Sequence, residues 1–137
     1  MRILVLRALK LGDFLTGVPA YRALRRAYPD AEIVLAAPRA LEPLRELAGD
    51  ALDRIADARP LAPLPPELHG ADLGVNLHGR GPQSHRVLLD ARAGELIAFR
   101  HDEIPESARG PEHDPAEHEV ARWCRLLEHY GIHADPR

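Results

Sequence analysis

Apolar positions recur along this chain with two different periods, and the switches between them mark its elements. Residues 3–6 are a continuous apolar run of β-formers, the pattern of a strand covered on both faces. From Phe14 onward the period lengthens. Leu15, Val18, Leu24 and Tyr28 follow a helical stripe, and Pro29-Asp30 closes it. Pro19 interrupts that stripe; it lacks an N–H and clashes with the carbonyl four residues back, which predicts a kink or a late helix start. Residues 32–36 read as a second strand. A short helix is expected around 42–48, closed by Gly49. Residues 54–56 suggest a short third strand, and 60–66, with four prolines, a connector. The next strand is expected at 72–77. A glycine-rich turn at 78–82 leads into a helix over 84–89, and a last strand covers 95–99. Residues 101–114 are polar and proline-containing, a long loop. Asp114-Pro115-Ala116-Glu117 has the form of a helix start: a cap, proline at the first position, and glutamate three residues on. Val120, Trp123, Cys124 and Leu127 then fall at helical spacing, and Gly131 ends the run.

Strands alternating with helices predict an α/β fold: a Rossmann-like, mostly parallel sheet with helices on both faces. Its 137 residues suit one domain with a real core. A formal net charge of −3 argues against a nucleic-acid footprint or a polybasic membrane patch. Lys10 is the only lysine, so nearly all basic charge rests on arginine. Cys124 is the only cysteine, which excludes an intrachain disulfide and points to a reducing compartment. No apolar run approaches the roughly 20 residues a membrane span needs. A cytoplasmic protein is expected.

The parallel-sheet reading directs attention to the turns after the strands, because ligands in open α/β sheets bind at the strands' carboxyl ends. Leu11-Gly12-Asp13 is the first such turn. Asp13 has two readings there, a plain helix cap or a carboxylate at a ligand edge. Gly12 either lets a ligand approach the backbone or serves a tight turn with positive φ. Arg7 and Lys10 flank the turn. They could meet phosphates or carboxylates by charge-assisted bonds, or form a solvated basic loop, the reading favoured for Arg7. Neither a G-x-G-x-x-G fingerprint nor a Walker A pattern is present. The second turn, from His78 to Ser84, supplies glycines, donors and a helix start. It suits an anionic or sugar ligand, or is a plain connection. The scattered histidines lack zinc-site spacing, so no metal is expected. Cys124 reads as core rather than as a nucleophile.

These residues resemble glycosyltransferase family 9, the ADP-heptose–lipopolysaccharide heptosyltransferase family. The resemblance starts at Arg2-Ile3-Leu4-Val5-Leu6-Arg7, passes through Leu11-Gly12-Asp13 and runs from Pro19 to Ala31. It resumes from Asp72 to Gly79 and at His118-Glu119-Val120. It implies a GT-B enzyme, with two Rossmann-like domains facing each other across a cleft. Residues 1–137 would be the acceptor-side N-terminal domain, with the donor-binding domain outside this sequence, so that the chain is an excised piece or a natural fragment. Asp13 would be the general base of an inverting, metal-independent transfer. Lys10, Gly12, Thr16, His78, Gly79, Arg80 and Gln83 would meet substrate. The implied partners are a nucleotide-sugar donor, ADP-heptose-like and held mainly by the other domain, and a glycan or lipid-linked sugar acceptor. Location would be cytoplasmic, with possible peripheral contact at the inner face of the membrane. Alone, the domain would be nearly inactive, and its exposed inter-domain face could self-associate. The rival reading is a stand-alone Rossmann-like module that binds a glycan, nucleotide or protein without chemistry.

Overall fold

A computed structural model describes residues 1–8 and 10–137. Five strands form one parallel sheet: β1 (Arg2–Leu6), β2 (Glu32–Ala37), β3 (Arg54–Asp57), β4 (Leu73–Asn76) and β5 (Glu95–Ile97), in the order β3-β2-β1-β4-β5. All lie where the hydrophobic runs placed them. The α/β, doubly covered sheet expected from alternation is the architecture observed. Along β1, Ile3 and Val5 belong to one buried cluster and Leu4 and Leu6 to another. Two cores, one per face, explain why the strand is apolar at every position.

The first core is closed by helices α1 (Leu11–Ala27) and α3 (Glu119–His129) and by 3₁₀ turns over Arg39–Ala51. The second is closed by α2 (Gln83–Asp90) and by the connector, with Leu64 and Leu68 packed inward. Gly49, expected to close a short α-helix, does adopt a left-handed φ of 62°. The segment it interrupts is 3₁₀ rather than α-helical. Pro43 lies within it, and its missing N–H removes an α-type bond there.

Three local expectations are corrected. Helix α1 begins at Leu11 and runs through Pro19, so there is no late start. The carbonyl that loses its partner to Pro19 belongs to Leu15, which is 46% exposed and open to water. Leu15 is therefore off the stripe; Phe14, Val18 and Tyr21 face the core instead. Finally, Asp114-Pro115-Ala116-Glu117 does not open α3. The Asp114 carboxylate accepts from the Ala116 N–H at 2.9 Å, closing a turn. Arg122 Nη2 then donates to the Glu117 carbonyl at 2.8 Å and shares its other hydrogen between the more distant carbonyls of Asp114 and Pro115, and Arg125 grips the Glu117 carboxylate. With those groups occupied, the helix starts later, capped by His118, whose Nδ1 accepts from Val120 N–H.

Candidate functional site

Strand order reverses its direction of growth between β1 and β4, the position where open α/β sheets leave a crevice at the carboxyl edge. Two turns meet there: the one from β1 into α1, and the one from β4 into α2.

The β1–α1 turn is organised by Arg7, which follows β1 directly. Its side chain is wholly buried. The guanidinium donates to the main-chain carbonyls of Asp13 and Leu77, to Thr16 Oγ1 at 2.9 Å and to Glu119 Oε2 at 3.1 Å. It lies over the Trp123 ring, 5.0 Å from the centroid. One side chain thus ties α1, β4 and α3 to the end of β1. The solvated-loop reading of Arg7 is overturned. A guanidinium is buried at low cost when its charge and most of its donors are met, and here the charge and four of the five N–H groups are.

Asp13 sits at the third position of α1, with Lys10 as the N-cap. It caps the helix from inside: Oδ2 accepts from the Lys10 N–H at 3.1 Å, the return half of a capping box. Its Oδ1 lies 3.9 Å from Arg7 Nη2, and the side chain is 32% exposed. Gly12 does not use positive φ, and a Cβ built there meets nothing within 4 Å. The space above the first turn of α1 is open. Thr16, one turn on, has a single hydroxyl hydrogen and two oxygens in reach, Asp13 O at 3.0 Å and Glu119 Oε2 at 3.2 Å. Beneath this turn the Tyr21 hydroxyl is buried without a hydrogen-bond partner. Burial pushes its pKa up; the Arg7 guanidinium opposes that rise and the Asp13 carboxylate adds to it.

The β4–α2 turn is organised by Asn76, fully buried at the end of β4. Its Oδ1 accepts from the N–H of His78 at 2.8 Å and of Gly79 at 3.4 Å. Its Nδ2 reaches Ser84 Oγ and His85 Nδ1, each at 2.8 Å. His85 Nε2 donates to the Phe99 carbonyl at 2.6 Å, which leaves Nδ1 as the acceptor. Gly81 has φ of 82°, and a Cβ there would meet the His85 ring at 2.6 Å. Both facts demand glycine. Burial holds His85 below the ordinary histidine pKa, with the nearby His101 acting the same way and the Phe99 carbonyl opposing.

The two turns bring Lys10, Gly12, Asp13, Thr16, His78 and Gly79 to one edge. His78 is lowered in pKa first by burial and then by the Arg7 guanidinium, while the Asp13 carboxylate raises it. Arg80 is exposed and opens onto a neighbouring cleft of about 330 Å³ with Arg100, His101, Asp102, Glu112 and His113. Gln83 borders a different groove, between the connector and α2, with Leu61, Leu64 and Val87. Cys124 is buried, as a core residue should be, and burial raises its thiol pKa. Among the described residues no group of three or more His, Cys, Asp or Glu could hold a metal ion. Among the described residues no helix is long and apolar enough to cross a membrane. Sequence reasoning missed Asn76 and Glu119 as organisers of the edge. The available signals were a polar residue inside a buried strand and a glutamate opening the last helix.

No protein-family model matches the chain, and no curated protein matches it. Solved structures do. The family 9 glycosyl transferase of Veillonella parvula superposes with a TM-score of 0.73 at 18% identity, over 99% of this chain and 42% of that one. The chain shares the fold of family 9 glycosyltransferases. ADP-heptose lps heptosyltransferase II of E. coli superposes with a TM-score of 0.70 at 22% identity, over 92% of this chain and 40% of its own. E. coli heptosyltransferase WaaC, solved with ADP, gives 0.69 at 16% identity, over 98% and 48%. The chain spans less than half the length of these glycosyltransferases.

Proposed function

We propose that this chain is the acceptor-side, N-terminal domain of a glycosyltransferase of the family 9 type. It would work with a second domain that holds most of the nucleotide-sugar. The reaction is inverting and metal-independent. An acceptor hydroxyl oxygen attacks the anomeric carbon of a heptose-like sugar from the face opposite the leaving nucleotide, and gives its proton to the Asp13 carboxylate. The bond from the anomeric carbon to the phosphate oxygen breaks, and its electron pair leaves with the nucleotide. The acceptor is a glycan of lipopolysaccharide type. A cytoplasmic location, with peripheral contact at the inner membrane face, fits such an acceptor.

One observation carries this reading. Asp13 stands at the topological crevice with a partly exposed carboxylate, open space above Gly12, and a capping hydrogen bond from Lys10 N–H that holds it. A base must reach the incoming hydroxyl before its strength matters, and this carboxylate is the accessible one on the β1–α1 turn. Lys10, Thr16, His78 and Gly79 surround the place where an acceptor would lie. Arg80 and Gln83 serve it only from the neighbouring cleft and groove.

Asp13→Asn tests the proposal. The amide oxygen still accepts from Lys10 N–H, so the cap and the thermal midpoint should survive. In a protein carrying both domains, transfer from ADP-heptose should fall about 10²–10⁴-fold, the ordinary contribution of a positioned base. Near-normal turnover would sink the idea.

A further inference from the structure

Asp13 and Glu119 face the same guanidinium, and a count of hydrogens shows which of them has it. Arg7 carries five N–H groups in a fixed fork. The Nε hydrogen goes to the Asp13 carbonyl and one Nη1 hydrogen to the Leu77 carbonyl. The two hydrogens of Nη2 are taken by Thr16 Oγ1 at 2.9 Å and Glu119 Oε2 at 3.1 Å. Nothing on Nη2 remains for Asp13, whose Oδ1 stands at 3.9 Å, outside hydrogen-bond reach. The Nε and Nη1 bonds hold the fork in this orientation, with the Trp123 ring centroid 5.0 Å from its central carbon.

The charge balance points the same way. Arg7 is shut off from water, whereas the carboxylates of Asp13 and Glu119 are 32% and 42% exposed. A buried cation requires an anion beside it. Either carboxylate lies near enough to Nη2 to serve. Glu119, at the first position of α3, provides the close contact and leaves Asp13 directed at the edge.

We propose that Glu119 is a positioning residue: together with Thr16 it saturates Arg7 Nη2, and so keeps the Asp13 carboxylate out of a direct hydrogen bond to the guanidinium, at the longer 3.9 Å approach, and available at the ligand edge. The functional meaning of this arrangement rests on the reading of Asp13 as the base; the competition itself does not.

The test uses the chain as it is. Glu119→Ala and Thr16→Val each release one Nη2 hydrogen by removing its acceptor. In crystal structures of either variant, Asp13 Oδ1 should close on Nη2 to about 3 Å, the distance of an ordinary charged pair. The Asp13 carboxyl carbon resonance should move in the same variants, a signal that a general loss of stability does not produce. If one variant fails to fold, the other decides. Asp13 remaining at its wild-type distance in a folded variant, with an unmoved resonance, overturns the proposal. A displaced Asp13 supports it whether or not transfer is found. Conversely, an active Asp13→Asn enzyme would refute the base reading and leave this competition intact.

Discussion

The two turns at the carboxyl edge solve one problem with opposite chemistry. Each must hold a polar loop against the end of a buried strand. The β1–α1 turn does it with a charge: Arg7, buried, reaching three other elements and matched by Glu119. The β4–α2 turn does it with neutral groups: Asn76 and His85, also buried, satisfied by Ser84, the Phe99 carbonyl and two loop N–H groups. A charged hub fixes more elements at once, but it commits two carbonyls, a hydroxyl and one carboxylate around it. A neutral hub is cheaper to bury and depends on one protonation state of its histidine. The difference suits the residues each turn displays. The carboxylate of Asp13 gains from a fixed electrostatic setting, whereas the backbone N–H groups of the second turn need only shape.

The comparison can be broken hardest at Arg7. Arg7→Met keeps the volume and removes the charge, leaving the Asp13 and Leu77 carbonyls, Thr16 and Glu119 without their donor. A loss of about 3–5 kcal/mol is expected, from several acceptors that lose a charged donor at once, measured by urea unfolding. Asn76→Ala attacks the neutral hub and should cost less, about 2 kcal/mol, through unpaired His85 and loop N–H groups. An equal or larger loss at Asn76 would reverse the ranking.

A milder test sharpens the contrast by pH. His78, His85 and His113 are all held below the ordinary histidine pKa of 6.5. The unfolded chain therefore binds more protons than the native one once pH falls below about 6.5. Stability from these groups is complete above that value and declines as pH drops through it toward the depressed folded values. The urea midpoint should fall between pH 7.5 and pH 5. His85→Gln should reduce that slope by removing the most enclosed of the three, whereas Arg7→Met should leave the His85 part of it in place. A slope unchanged by His85→Gln would show that the neutral hub does not depend on its histidine.

Periodicity located the strands because their signal is local: both faces of the sheet are covered, and an apolar run says so. It located Asp13 at the edge for the same reason, since a strand–turn–helix order needs no distant partner. It misjudged Arg7 because the decisive contact is with Glu119, 112 residues away. An arginine in a turn looks solvated until the helix that buries it is known. The start of α3 failed on similar grounds. Asp114-Pro115-Ala116-Glu117 carries a local helix signal, but Arg122 and Arg125 claim its carbonyls and its carboxylate. Asn76 went unnoticed because a strand's last residue looks structural, and only the fold shows that its side chain shapes the following loop.

The tie between Arg7 and Glu119 also sets a schedule. During synthesis the β1–α1 turn emerges early, with its carboxylate and its arginine close together. The carboxylate that separates them arrives only with α3, after the sheet has been made. Closing so long a loop carries an entropic cost that local contacts do not. Until α3 docks, Arg7 has Asp13 as its nearest anion. The edge of the sheet thus takes its charge arrangement from a helix 112 residues away, and the docking of that helix is what leaves the first turn's carboxylate without a hydrogen bond to Arg7.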